Sequence, residues 1–245
     1  MDFVGAGTVV NVITVVLGSL VGLALGSRLG ERTTSTVTDV LGLFTLVIAA
    51  SSITPLFGEL LQQAVGHGAV MVVVLLALMA GALTGSALRV EDRLEDIGHW
   101  ARRRFGADGD SRFVNGFVTA TLVFCVGPLT ILGSLSDGLG RGADQIFVKA
   151  VLDGFASIAF AASLGIGVLA SAVGVLVIQG GMTVVGYLLG DVIPPAQVEA
   201  LTVAGGIILM GLGIRLLGLK DIKVADLLPA LVYAPLFVGL AQLVA

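Results

Sequence analysis

The sequence predicts an all-α protein: a polytopic transmembrane helix bundle of about eight spans, with no soluble domain. Three observations carry this. Of 245 residues, 56% are hydrophobic and 12% are charged, against about 25% charged in an ordinary soluble chain. The apolar residues fall in runs of about 20, the length a helix needs to cross roughly 30 Å of hydrocarbon. Glycine supplies 35 residues, about twice the usual share of ~7%. Such glycine weakens soluble helices but lets helices in lipid approach closely.

The spans follow in order: Thr8–Gly26, Val37–Phe57, Ala69–Leu88, Phe113–Leu135, Ile146–Gly165, Ile166–Leu189, Val198–Leu217 and Val224–Val244. The first lacks the basic flank and cleavage site of a secretory signal, so it is expected to be retained. The fifth and sixth have no charged loop between them, only Gly165 and Gly167 to mark a tight turn. One long broken helix is the alternative there. The whole of 1–245 reads as a single membrane domain.

Arginine and lysine in the short connections set the orientation. The first connection holds Arg28 and Arg32, the third six arginines from Arg89 to Arg112, and the seventh Arg215, Lys220 and Lys223. The second has neither residue type, the fourth sets Arg141 between Asp137 and Asp144, and the sixth offers Asp191 and Glu199. Odd connections are thus basic and expected in the cytoplasm, with both termini outside. In the third connection Leu94, Ile97, Trp100 and Ala101 recur at helical spacing. They suit either an amphipathic helix on the inner surface or a solvated loop.

Gly42–Ile53 echoes Gly154–Gly165, and Val10-Asn11 echoes Val114-Asn115. Spans one to three and four to six would then be two three-helix units of opposite orientation, residues 8–88 and 113–192, with 198–245 adding two helices. Such inverted repeats build carriers with a site near the midplane.

Few residues inside the spans can do chemistry. Lys149, Asp153 and Ser157 share one face of the fifth span. Ionisable groups in a span mark pathways, pairs or relays; a plain internal ion pair, with Lys149 snorkelling outward, is the structural alternative. Cys125-Val-Gly127-Pro128-Leu-Thr130 interrupts the fourth span, since proline removes a backbone hydrogen bond. Gln179-Gly180-Gly181 interrupts the sixth, and Ser51, Ser52, Thr54 and Pro55 make a shallower break in the second. Together these favour a polar cavity, although each also suits a packing kink. Asn11 and Asn115 sit near opposite faces, where interhelical hydrogen bonding accounts for them. Gly18, Gly22, Gly26 and Gly30 form a small-residue ridge, for packing within the chain or between copies.

Enzymatic sets are missing. His67 and His99 lie in connections on opposite sides, no G-x-S-x-G occurs, and no cofactor or metal is implied. Cys125, the only cysteine, allows no intrachain disulfide, and a net charge of −4 points to no nucleic-acid partner.

Val123–Gly138 (VFCVGPLTILGSLSDG), Lys149–Gly167 (KAVLDGFASIAFAASLGIG) and Gln179-Gly180 closely resemble the YqgA/YdfK-like family. Gly18–Arg32 and the Leu41-Gly-Leu-Phe-Thr-Leu run do so too. That resemblance implies a bacterial multi-pass inner-membrane protein of unknown function. It also implies that Gly127, Pro128, Asp137, Lys149, Asp153 and Gln179 belong to the family pattern, with no role attached.

The expected function is therefore a transporter or channel for a small ion or solute. Its candidate ligands are Lys149, Asp153, Ser157, Gln179, Thr130, Pro128, Gly127, Ser51, Asn11 and Asn115. The alternative is a non-transporting scaffold or sensor acting through the basic loop.

Overall fold

The computed structural model describes residues 3–26, 30–66, 68–104, 112–126, 128–140, 142–189 and 194–244. Gly127, Arg28, His67, Arg141 and Asp191 lie outside them. The described residues form eleven α-helices: α1 (Ala6–Gly26), α2 (Glu31–Ser52), α3 (Glu59–Val65), α4 (Val70–Leu88), α5 (Val90–Arg104), α6 (Phe113–Val126), α7 (Pro128–Gly138), α8 (Asp144–Leu164), α9 (Gly167–Leu189), α10 (Pro195–Leu216) and α11 (Ala230–Val244).

Among the described residues, seven helical segments are long and apolar enough to cross a membrane. Large apolar side chains such as Leu83, Phe155 and Leu188 stand exposed on them, as lipid-facing surfaces require. The expected fourth span is instead two helices, α6 and α7, parted where Pro128 cannot donate to the preceding turn. The expected second span ends as a helix at Ser52; a 3₁₀ turn, Thr54–Phe57, carries Pro55 at its start, and the short α3 follows. The fifth and sixth spans are separate helices. Gly165 turns the chain between them with φ +83°, a conformation that favours glycine.

Contacts divide the chain into two compact units, Met1–Leu43 with Leu94–Asp191, and Phe44–Arg93 with Val192–Ala245. This division does not follow the expected repeat halves 8–88 and 113–192.

In the first unit α1 lies along α8. Gly7 meets Ile146, Gly18 meets Gly154 and Ser157, and Gly26 meets Ala162, so the two helices run in the same direction. Gly18, Gly22 and Gly26 of the glycine ridge thus pack within the chain, while Gly30 has open space beside it. A Cβ at Gly22 would come within 2.9 Å of the Ala161 side chain. α9 runs against α1 and packs on both α6 and α7, with Gly186 on Leu135 and Gly174 on Thr121. Phe124 of α6 meets Phe160 of α8 edge-on, ring centres 6.0 Å apart. The later part of α5 rests on α6, Gly98 against Val114.

The second unit is an apolar bundle of α3, α4, α10 and α11. Leu61, Val74, Ala77, Ala200, Val203 and Ala234 are among its buried residues. Gly81 of α4 meets Ala230 and Gly85 meets Asp226, so α11 runs against α4.

Candidate functional site

In the first unit α1, α8 and α9 each turn a short polar stripe inward, at the spacing that keeps residues on one face. α1 contributes Thr8 and Asn11, α8 contributes Lys149 and Asp153, and α9 contributes Gln179 and Thr183; all six are buried. They form one hydrogen-bonded network. Lys149 Nζ donates to Asp153 Oδ2, one helical turn away. Asn11 Nδ2 donates to the same carboxylate oxygen at 3.0 Å and to Gln179 Oε1 at 2.8 Å. Gln179 Nε2 donates to Thr8 Oγ1 at 3.2 Å, and the Thr8 and Thr183 hydroxyls lie 3.3 Å apart.

These contacts settle how the amides are turned. A carboxylate only accepts, so Asn11 must turn its nitrogen to Asp153; that nitrogen also faces Gln179, whose oxygen must therefore accept, leaving the Gln179 nitrogen to Thr8. Asn11 Oδ1 then points away, buried and without a protein partner. The ion pair is formally neutral. Burying it stabilises little by itself, yet removing either member leaves an uncompensated charge.

The network reaches an opening. A cleft of ≈370 Å³ lies between the start of α1 and the later half of α9, lined by Gly5, Thr8, Gly180, Thr183 and Tyr187 among others. Thr8 and Thr183 therefore belong both to the cleft wall and to the chain of contacts leading to Asp153.

Of the residues singled out in the sequence, Asn11, Lys149, Asp153 and Gln179 come together. Thr130 and Ser157 are equally buried but donate to nearby backbone carbonyls, Thr130 across the α6–α7 break and Ser157 within α8. Thr130 donates to the Phe124 carbonyl at 2.8 Å. In a continuous helix that carbonyl would accept from residue 128, which is proline and has no N–H. The threonine hydroxyl thus caps the break it follows. Ser157 donates to the Gly154 carbonyl at 2.8 Å and fills the space beside Gly18. Asn115 is exposed and accepts from Thr119 at 3.3 Å. Ser51, in the second unit, is exposed and donates to the Val47 carbonyl at 3.1 Å. Pro128 opens α7. The two asparagines of the echo thus sit in opposite environments, one interior and one exposed.

Two features escaped the sequence reading. One is that Ser134 joins Thr130 and Asp137, both named from the sequence, on one buried face of α7 at helical spacing. The other is a charged cluster in the second unit. Buried Glu91 accepts from Arg215 Nη1 at 2.5 Å and from the Ala225 N–H at 2.6 Å, while its own N–H donates to Asp226 Oδ1 at 2.9 Å. Arg215 also meets Asp221 at 3.1 Å. Arg89, in the left-handed region at φ 51°, turns the chain from α4 into this cluster. The basic third and seventh connections therefore meet at one end of that unit. Only their separation of over a hundred residues hid the pairing.

The family described as "Protein of unknown function (DUF554)" matches residues 6–239. The chain is 25% identical over 232 residues to the uncharacterized membrane protein YdfK of Bacillus subtilis (strain 168), covering 95% of each chain. It is 28% identical over 232 residues to the uncharacterized protein YqgA of Escherichia coli (strain K12), covering 93% of this chain and 94% of that one. No solved structure matches. The chain is thus a multi-pass membrane protein, and it belongs to the DUF554 family.

Proposed function

We propose that this protein is a membrane transporter or channel for a small ion or solute, and that the polar interior of the first unit is its binding site. One observation carries the reading: six buried polar side chains from three helices form a continuous network from an open cleft to the Lys149–Asp153 pair. Packing alone does not call for this. In lipid a glycine-packed apolar interior suffices, and the second unit has one.

In this reading Asp153 binds a cation or proton and Lys149 holds its place when the site is empty of solute. Asn11, Gln179, Thr8 and Thr183 supply neutral ligands. The broken helix α6–α7 beside the network fits a carrier site, where discontinuous spans meet substrate. The helix directions within each unit suit the alternation expected for an inner-membrane protein with both termini outside. An inverted repeat of 8–88 and 113–192 belongs to the same reading.

The test is flux in proteoliposomes across a panel of small ions and solutes, with Asp153→Asn as the variant. We expect a solute-dependent signal that disappears in Asp153→Asn protein of wild-type fold. Silence from folded wild type across a broad panel would favour a non-transporting scaffold or sensor. The observation behind that second reading is α5, which exposes Ile97 and Trp100 beside Arg103 and Arg104.

A further inference from the structure

The charges inside the first unit do not balance. Lys149 and Asp153 compensate each other, but a third ionisable group, Asp137, is 4% exposed in the last turn of α7. Its Oδ1 accepts the Gly5 N–H at 3.1 Å; its Oδ2 is buried with no hydrogen-bond partner. No lysine or arginine pairs with it among the described residues, and Arg141 lies outside them. A buried carboxylate without a countercharge is among the most costly arrangements a protein can hold.

Its position sharpens the difficulty. The last turn of a helix carries the negative end of the helix dipole, which disfavours an aspartate and favours a cation. One turn earlier on the same face stands Ser134, 0% exposed, whose Oγ also has no partner. Residues three apart on a helix have Cβ atoms about 5–6 Å apart. The two side chains are thus neighbours, yet they do not hydrogen-bond each other. Unpartnered oxygens beside a helix C-terminus are the type of ligand a small hard cation takes, with further oxygens completing its shell. Access exists as well: Gly5, which holds the other carboxylate oxygen, lines the cleft.

We infer that Asp137 and Ser134 form a site for one monovalent alkali cation of about sodium size, distinct from the Lys149–Asp153 pair. The site deepens the proposed function by supplying its coupling ion, and the coupling role, though not the binding, rests on that reading. Sodium in this place brings the interior of the first unit to neutrality. Asp153 needs no such ion, because Lys149 already occupies that role.

Isothermal titration calorimetry of the purified full chain in detergent, with NaCl added to a choline chloride background at constant pH, tests this. Wild type should show saturable binding. Asp137→Asn should abolish it, and Ser134→Ala, the milder variant should Asp137→Asn not fold, should weaken it about tenfold. Absence of saturable sodium binding in folded wild type would overturn the site. So would binding that survives Asp137→Asn, or that is lost in Asp153→Asn alone. Heat that follows proton concentration and ignores sodium would overturn the alkali-ion assignment in favour of a proton. Binding is read here without flux, so a silent flux panel removes the coupling role and leaves the site to stand or fall by itself.

Discussion

The two units solve the same packing problem with opposite interiors. Both bring helices together on glycine: Gly18, Gly22 and Gly26 of α1 against α8 in the first, Gly81 and Gly85 of α4 against residues 226–230 in the second. In the second unit the space inside is filled by leucine, valine and alanine, and the charges collect at one end around Glu91 and Arg215. In the first, the middle of the bundle holds Asn11, Lys149, Asp153 and Gln179. Fold stability in lipid explains the second arrangement and not the first. The contrast, more than any single residue, is what supports placing the proposed binding site in the first unit.

The largest expected effect comes from breaking the two buried ion pairs. Asp153→Asn strands Lys149, which no other carboxylate reaches among the described residues; a loss of about 3–5 kcal/mol is expected. Glu91→Gln should lose less, about 1–3 kcal/mol, because Arg215 is partly exposed and keeps Asp221. Thermal unfolding in detergent measures both. The charge-free pairs Lys149→Gln with Asp153→Asn, and Glu91→Gln with Arg215→Gln, should each regain most of the loss. Flux should return only in the second pair. Recovery of flux in the first would remove the distinction between the units.

A smaller effect tests the feature they share. Gly22→Val and Gly85→Val drive a side chain into the carbonyls of Ile158 and Asp226. Each should destabilise its unit by about 1–3 kcal/mol. Gly181→Ala, in α9 with nothing within 4 Å of an added Cβ, should be neutral or gain up to ~1 kcal/mol. Equal melting temperatures for all three would show that the glycine contacts are loose.

The smallest effect concerns the break. Thr130→Val removes the donor to the Phe124 carbonyl and should cost about 1 kcal/mol. An unchanged melting temperature would mean that this carbonyl finds another partner and that Thr130 is free to serve as a ligand.

Much of the fold was legible because its signals are local. Apolar runs mark the spans, Pro128 parts α6 from α7, and Gly165 separates α8 from α9. The additions at Thr54–Phe57 and α3 were not, since a short helix after a proline leaves no periodicity to detect. Within the site, Lys149 and Asp153 could be paired from spacing alone, because residues four apart on a helix face each other. The amide partners could not: Asn11 lies 142 residues from Asp153 and 168 from Gln179. Asn115 and Ser51 illustrate the reverse error. Each is a polar residue in an apolar run, as Asn11 is, yet both are exposed and satisfied within their own helices.

By itself the sequence determined that this chain is a bundle of membrane helices, where its long apolar spans lie, and where Pro128 and Gly165 interrupt them. Periodicity and composition act along one helix at a time, and they suffice for that. Only the tertiary structure decided which faces meet. It set Asn11 and Gln179 on the Lys149–Asp153 pair, spent Thr130 and Ser157 on nearby backbone carbonyls, and left Asp137 and Ser134 with unpartnered oxygens. A polar side chain in lipid must find a partner somewhere, and whether that partner lies on its own helix or another is settled by packing across the bundle.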